Sequence, residues 1–142
     1  MKVVPAPAGY SKRPLVDKLG IKPETSVAII NAPANFEKTL GPLPAGVVPK
    51  SRLGANMDFI HAFFLSAKDL AAQFPKLKKA LSESGTLWVS WPKKAAKVET
   101  DVTESLVREI GLKNGLVDIK VCAVDEVWSG LKFVYRLKDR SK

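Results

Sequence analysis

Three strongly apolar runs constrain the fold of this chain more than any other feature of its sequence. They lie at residues 26–30, 58–65 and 86–91. None of them shows the regular alternation of apolar and polar residues that marks a strand with one solvated face. A short apolar run without alternation is typical of a strand buried on both faces, as in a parallel sheet covered by helices. The runs therefore predict the interior strands of a largely parallel sheet.

The segments that follow two of these runs carry signals of helices. Ser66 and Asp69 form an S-x-x-D capping pattern, and apolar residues follow at positions 70, 74, 77 and 81, the spacing of one helical face. Pro75 interrupts this spacing and predicts a kink or two short helices. Asp101 and Glu104 form a second capping box ahead of another apolar helical face.

The end of the chain changes its periodicity from helix to strand. Residues 117–123 and 131–137 alternate between apolar and polar side chains, which is typical of strands. Between them lies a Ser129-Gly130 pair of the kind found in turns. We therefore expect the two strands to pair as an antiparallel hairpin.

The first half of the chain contains three weaker signals. A short helix is expected to begin after Ser11 and to end at Gly20. Residues 35–40 are compatible with one or two helical turns. Residues 47–52 are compatible with a strand, and Pro49, which cannot donate a ladder hydrogen bond, would place that strand at an edge of the sheet.

The order of these elements predicts an α/β fold. Right-handed crossovers would place helices on both faces of an open, mostly parallel sheet that ends in an antiparallel hairpin. This arrangement resembles the class I methyltransferase variant of the Rossmann-like fold, above all between residues 58 and 136. A chain of 142 residues is expected to form one domain, residues 1–142, with flexible tails at 1–8 and 138–142.

The composition excludes several classes of protein. Lys and Arg number 23 against 14 Asp and Glu, and the net charge of +9 is compatible with nucleic acid, anionic ligands or an acidic partner. No block of five consecutive like charges occurs, so specific nucleic-acid binding is not expected.

A single cysteine excludes an internal disulfide and a cysteine-rich zinc site, and no metal site is expected. Without a secretion signal or a membrane-spanning stretch, the sequence predicts a cytoplasmic protein.

The turn after the first apolar run lacks the glycines with which related folds bind dinucleotides or S-adenosylmethionine. Such sites use glycine because a backbone without Cβ lets the ligand approach closely. Here residues 31–35 read Asn-Ala-Pro-Ala-Asn, and residues 47–52 offer no acidic side chain for a ribose. The sequence therefore predicts that no cofactor is bound.

Candidate ligand-binding residues lie in the loops after the predicted strands, because ligands of open α/β sheets bind outside the carboxyl ends of the strands. Lys93 and Lys94, with the helix start near Asp101, are able to hold a phosphate or a carboxylate. A solvated loop with ordinary surface lysines is the alternative. The predicted ligand-binding residues are Asn31, Ser66, Trp91, Lys93, Lys94 and Asp101.

Several further residues have a structural explanation beside a chemical one. His61 lies in an apolar strand, where a hydrogen-bonded core histidine is the commoner case than a catalytic base. Cys122 is expected to be an inert, half-buried thiol. Trp88 is expected in the core, whereas Trp91 and Trp128 at strand ends are candidates for a stacking surface.

A set of short stretches distributed along the chain carries a family resemblance. They are Gly-Tyr-Ser at 9–11 with Pro-Leu at 14–15 and Lys-Leu-Gly at 18–20, Asn-Ala-Pro at 31–33, Gly-Pro-Leu-Pro at 41–44, Leu-Trp-Val-Ser-Trp-Pro-Lys-Lys at 87–94, and Val-Cys-Ala-Val-Asp-Glu at 121–126 with Trp-Ser-Gly-Leu-Lys at 128–132. Together they resemble a small bacterial family designated a domain of unknown function. The resemblance implies a bacterial, cytosolic, single-domain protein and carries over no activity, cofactor or catalytic residue.

These observations leave three hypotheses about function. The first is a non-catalytic Rossmann-like module that binds a small anionic ligand or a protein partner. The second is a divergent transferase-like enzyme that uses Asp125 or Glu126 together with Lys132, although acidic residues between two strands more often form turns. The third is weak, non-specific nucleic-acid binding through the basic excess.

Overall fold

A computed structural model describes residues 14–140 of the chain. The helices are α1 (Leu15–Leu19), α2 (Phe36–Leu40), α3 (Ala67–Ala80) and α4 (Glu104–Lys113), and the strands are β1 (Val27–Ile30), β2 (Met57–Phe63), β3 (Leu81–Pro92), β4 (Leu116–Ala123) and β5 (Trp128–Tyr135). Short 3-10 turns lie at Lys94–Ala96 and Leu137–Asp139. The predicted tail 1–8 and Ser11 itself lie outside the described residues. Pro14, with a non-helical backbone, is the N-cap of α1, so the prediction that the helix begins after Ser11 is wrong. Within the other predicted tail, Arg140 donates two hydrogen bonds to the carbonyl of Tyr135.

The strands form one five-stranded sheet in the order β1-β2-β3-β5-β4. β1, β2 and β3 are parallel, β5 runs antiparallel to β3, and β4 pairs with β5 as an antiparallel hairpin. The predicted α/β fold with a mostly parallel sheet and a terminal hairpin is confirmed. The three apolar runs have become β1, β2 and β3, because each of these strands is covered on both faces.

Helices cover the two faces of the sheet with separate parts of the core. On one face, α3 and α4 pack against the sheet through buried residues that include Leu70, Phe74 and Val107. On the other face, α1 and α2 contribute Leu19 and Phe36 to a second buried cluster. The left-handed backbone of Gly20 ends α1, as the sequence predicts.

The predicted edge strand at residues 47–52 does not form. The segment contributes one isolated parallel bridge, in which the N–H of Lys50 donates to Val27 O at 2.9 Å and the N–H of Ile29 donates to Lys50 O at 2.8 Å. Pro49 has no N–H and cannot extend the ladder. Among the described residues, β1 is therefore the outer strand on this side of the sheet.

The structure differs from the prediction at Pro75 and at the turn between β4 and β5. α3 is one helix from Ala67 to Ala80 that contains Pro75, so the two-helix interpretation is wrong. Burial of the apolar face of α3 against the sheet offsets the hydrogen bond that proline cannot make. The turn between β4 and β5 lies at residues 124–127 rather than at Ser129-Gly130. Gly130 is inside β5, where an added Cβ would lie 3.0 Å from Cε3 of Trp88.

The amino-terminal end of α4 corrects a second capping prediction. Thr103 is the N-cap, and its hydroxyl accepts a hydrogen bond from the N–H of Leu106 at 3.2 Å. The Asp101 carboxylate instead accepts the N–H of Ala67 at the start of α3, at 2.7 Å. Asp101 is therefore not part of a capping box with Glu104, because its carboxylate is directed to another helix.

Removing the Thr103 hydroxyl is expected to destabilise the protein. Thr103→Ala leaves a helix N–H without its side-chain acceptor and is expected to lower the free energy of unfolding by about 1 kcal/mol. Urea denaturation of the variant and the wild type measures the change. Glu104→Ala is the control, because it removes the side chain that the capping box would require and leaves the observed cap intact. It also breaks the exposed ion pair with Arg108, which is expected to cost no more than about 0.5 kcal/mol. A larger loss in Glu104→Ala than in Thr103→Ala would contradict this assignment.

Candidate active site at the carboxyl edge of the sheet

The carboxyl edge of the parallel strands carries two concavities. The first, here called the β1–β2 cavity, lies between the segment after β1, the end of β2 and the first turns of α3. Its volume is about 450 Å³, and its lining includes Asn31, Phe63, Leu65, Asp69, Gln73 and Trp128. Ligands of open α/β sheets bind at this edge.

The turn after β1 adopts a glycine-like backbone without glycine. Asn31 and Asn35 have φ angles of 59° and 64°, in the left-handed region. Asparagine tolerates this region better than other residues with a Cβ. The Asn31 side chain also donates from Nδ2 to the carbonyl of Phe63 at 3.3 Å, which fixes the turn to the end of β2. The missing glycines therefore do not prevent a sharp turn at the mouth of the cavity.

A column of aromatic rings leads from the core to the β1–β2 cavity. Phe36 meets His61 edge to face at 5.4 Å between ring centroids, and His61 stacks on Phe63 at 4.2 Å. Phe63 in turn meets Trp128 edge to face at 5.1 Å. Trp128 is half-buried and lines the cavity, so its indole is positioned to contact a flat or cationic ligand.

His61, within this column, is fully buried. Its Nε2 is 2.7 Å from Oγ of Ser90, which is also fully buried, and its Nδ1 has no hydrogen-bond partner among the described residues. Burial lowers the pKa of His61 from 6.5 to about 3. The imidazole is therefore neutral at physiological pH, and the prediction of a hydrogen-bonded core histidine is confirmed.

The polar wall of the β1–β2 cavity comes from α3. Ser66 is the N-cap of this helix, and its hydroxyl accepts the N–H of Asp69 at 3.3 Å, as the S-x-x-D pattern predicts. The Asp69 carboxylate itself has no hydrogen bond or ion pair among the described residues, and Gln73 lies one turn further along the same face. Asp69 is the one charged group among the residues that line this cavity.

Sequence reasoning missed Asp69 and Gln73 as site residues. Asp69 was interpreted only as part of a capping pattern, and Gln73 carried no motif. Their four-residue spacing at the start of the helix that follows β2 is the signal that could have identified both, because this spacing places them on one face at the carboxyl edge.

The second concavity, here called the β3–α4 cavity, lies beside the β1–β2 cavity and has a volume of about 430 Å³. Its lining includes Trp91, Lys94 and Thr103. Trp91 is only 6% exposed, so its indole is a core side chain rather than an open stacking surface. Lys93 lines neither cavity, and its backbone N–H donates to the carbonyl of Val127 at 2.7 Å.

Two hydrogen bonds connect the loops that border these cavities. Thr100 Oγ1 donates to the carbonyl of Leu65 at 2.6 Å, and the Asp101 carboxylate accepts the N–H of Ala67 at 2.7 Å. The predicted site is thus distributed over three places. Asn31 lies in the β1–β2 cavity, Trp91 and Lys94 lie in the β3–α4 cavity, and Ser66 and Asp101 lie at α3 between them.

The acidic pair considered for catalysis forms a turn. The Asp125 carboxylate accepts the N–H groups of Val127 and Trp128, both at 2.8 Å, and so closes the connection between β4 and β5. Lys132 lines a different cavity and is not among the residues around the β1–β2 cavity. Cys122 is partly buried, and this burial raises the pKa of its thiol, as expected of an unreactive cysteine.

The chain is similar in architecture to several solved methyltransferases. A SAM-dependent methyltransferase from Aquifex aeolicus is 16% identical with a TM-score of 0.59, and the match covers 84% of this chain and 86% of that chain. A ribosomal protein L11 methylase from Lactobacillus delbrueckii subsp. bulgaricus is 14% identical with a TM-score of 0.57, over 86% of this chain and 75% of that chain. Magnesium protoporphyrin IX methyltransferase from Synechocystis PCC 6803, solved with SAH bound, is 12% identical with a TM-score of 0.56, over 86% of this chain and 78% of that chain. No family model and no curated protein matches the chain.

The chain has a class I methyltransferase-like Rossmann fold. The resemblance to a bacterial domain family remains a prediction that no family model supports. The first functional hypothesis, a non-catalytic module for a small anionic ligand or a protein partner, is wrong, because the structural neighbours are SAM-dependent methyltransferases and favour the transferase alternative. Within residues 14–140, no helix is long and apolar enough to cross a bilayer.

Proposed function

We propose that this chain is a divergent methyltransferase-like enzyme and that the β1–β2 cavity holds S-adenosylmethionine. One observation carries the proposal: the cavity with the unpaired Asp69 carboxylate lies at the carboxyl ends of β1 and β2 in a methyltransferase-like fold. Ligands of open α/β sheets bind at this edge. The Synechocystis neighbour was solved with SAH bound, and the Aquifex neighbour is described as SAM-dependent.

The residues around the β1–β2 cavity suit the chemical groups of this donor. The ligand combines a sulfonium, an ammonium, ribose hydroxyls and a flat base. The Asp69 carboxylate is suited to accept hydrogen bonds from the ammonium or the hydroxyls, and the amides of Asn31 and Gln73 supply further donors and acceptors. The half-buried Trp128 indole, with Phe63 behind it, offers a face to a base or a cation.

The proposed site differs from that of related folds in the position of the acidic side chain that would bind the ribose of S-adenosylmethionine. Residues 47–52 contain no acidic side chain, so Asp69 of α3 is the carboxylate that remains for this role. When bound, S-adenosylmethionine supplies an electrophilic methyl group. The chain's own residues bind and orient the donor through Asn31 and Asp69, and the aromatic surface of Phe63 and Trp128 excludes water.

Binding of S-adenosylmethionine and S-adenosylhomocysteine by isothermal titration calorimetry tests the proposal. Asp69→Asn is expected to weaken binding about tenfold, because it removes a charge-assisted hydrogen bond while the backbone N–H that Ser66 caps is kept. Glu99→Gln is the matched control, since this exposed carboxylate lines neither cavity and its loss is expected to leave affinity unchanged.

Two outcomes would contradict the proposal. One is the absence of binding to both compounds by a wild-type protein whose unfolding transition shows that it is folded. The other is an equal loss of affinity in Asp69→Asn and Glu99→Gln, which would indicate attraction to overall charge rather than a site at α3.

A further inference from the structure

A third concavity, here called the lysine cavity, lies at the opposite edge of the sheet from the proposed active site. Its volume is about 490 Å³, and it is bordered by the beginnings of β2 and β3 together with α1, β4 and β5. Four lysines line it, against two aspartates. They come from separate elements: Lys18 from α1, Lys22 from the segment after it, Lys120 from β4 and Lys132 from β5.

Two of these lysines are placed directly against each other by the sheet. Lys120 and Lys132 are partners in the β4–β5 register, so both side chains stand on the same face as cross-strand neighbours. Like charges in this arrangement are destabilising. Among the described residues, neither lysine forms an ion pair, and the ion pairs that are present involve Arg108, Lys113 and Arg136.

One of the two aspartates, Asp58, is held by a neighbouring serine. The Asp58 carboxylate accepts the N–H and the hydroxyl of Ser26, at 2.9 and 3.2 Å, and so is held at the start of β1. The pKa of Lys132 is lowered by partial burial and by the charges of Lys120 and Lys22, and Cys122 acts in the opposite direction. Lysines therefore outnumber aspartates four to two in the lining of this cavity, and the cross-strand pair Lys120 and Lys132 has no ion pair among the described residues.

We propose that the lysine cavity is a binding site for phosphate groups, separate from the proposed transferase site. Lysine is a mobile point charge that binds phosphate oxygens without requiring one fixed geometry. The hydroxyls of Ser84 and Thr86 also line the cavity and add neutral donors. A bound phosphate would relieve the repulsion between Lys120 and Lys132, so the ligand and the fold stabilise each other. The phosphate belongs to a small polyphosphate or to a nucleic-acid backbone.

Titration with sodium tripolyphosphate at low salt, and separately with a short single-stranded RNA, tests this site. The double variant Lys120→Gln/Lys132→Gln is expected to weaken binding about tenfold by calorimetry or fluorescence anisotropy. Lys76→Gln/Lys79→Gln is the matched control, because it removes the same charge from exposed positions on α3, on the other face of the sheet, and is expected to change affinity less than about twofold.

The two ligands distinguish the sources of phosphate. If tripolyphosphate binds, and Lys120→Gln/Lys132→Gln weakens its binding more than the control double variant does, a small-anion site is supported. If only RNA shows this difference, a site for a nucleic-acid backbone is supported. No binding of either ligand at low salt, or an equal loss in both double variants, would overturn the proposal. Thermal unfolding without ligand checks the fold of Lys120→Gln/Lys132→Gln, whose midpoint is not expected to fall because the substitutions remove repulsion.

Discussion

Acidification from pH 6.5 to pH 4.5 is expected to lower the free energy of unfolding by about 2 kcal/mol through His61 alone. The unfolded chain binds a proton at His61 with a pKa of 6.5, whereas the folded protein does so only near a pKa of about 3. Between these values the unfolded state carries more protons, so stability falls as the pH falls. The contribution is complete above pH 6.5 and is lost progressively down to about pH 3.

Urea denaturation at several pH values, in the wild type and in His61→Gln, isolates this contribution. The glutamine amide does not titrate and keeps a partner for Ser90. The acid-induced loss in the free energy of unfolding is therefore expected to be smaller in this variant than in the wild type, by the contribution of His61. Because His61 is the single histidine of the chain, its ring resonances in an NMR titration give a second measurement. A histidine signal that titrates between pH 5 and 7 in the folded protein would disprove the assignment.

Trp88→Ala is expected to destabilise the protein by about 3–5 kcal/mol. Trp88 is fully buried in the centre of β3, and its Nε1–H donates to the carbonyl of Leu19 at 2.8 Å. The substitution leaves a large cavity and removes the hydrogen bond that holds the last turn of α1 to the sheet. Chemical denaturation measures the total loss, and hydrogen exchange of the Gly20 amide, which bonds to Val16 O, measures the loosening of α1.

Trp88→Phe separates packing from hydrogen bonding. It keeps most of the ring volume, leaves the Leu19 carbonyl without its donor and is expected to cost about 2 kcal/mol. Trp128→Phe is the control at a half-buried position and is expected to cost less, because the phenyl ring retains the contact with Phe63. A stability loss in Trp128→Phe that exceeds the loss in Trp88→Phe would contradict the larger contribution to stability expected of Trp88.

The strands were predictable because their cause is local in sequence. A strand segment covered on both faces must be largely apolar, and residues 27–30, 59–63 and 87–92 carry that pattern without reference to any other part of the chain. By contrast, the polar residues Ser82, Glu83 and Ser84 near the start of β3 are not buried. The hairpin of β4 and β5 was predictable from alternation for the same reason. The turn of this hairpin was predicted at the wrong residues because glycine is common in turns. Gly130 instead lies inside β5, where the absence of a Cβ leaves room for the ring of Trp88.

The site was less predictable because its side chains act across long distances in sequence. Asp101 has the spacing of a capping residue for α4, yet its carboxylate is used at Ala67, 34 residues earlier. The S-x-x-D motif explains why the backbone N–H of Asp69 bonds to Ser66, but it does not indicate the position of the Asp69 carboxylate. The sequence did not indicate the left-handed backbone at Asn31, because this conformation is usually associated with glycine although asparagine also adopts it. Neighbours that meet only in the folded protein leave no signal in one sequence.

The hydrogen bonds between the loops after β2 and β3 have a mechanical consequence. Leu65 borders the β1–β2 cavity, Thr103 borders the β3–α4 cavity, and the bonds from Thr100 and Asp101 to the start of α3 join the two segments. Neither loop can swing outward alone without breaking a short hydrogen bond. A molecule that displaces one rim is therefore expected to strain the other, so that the two cavities respond together.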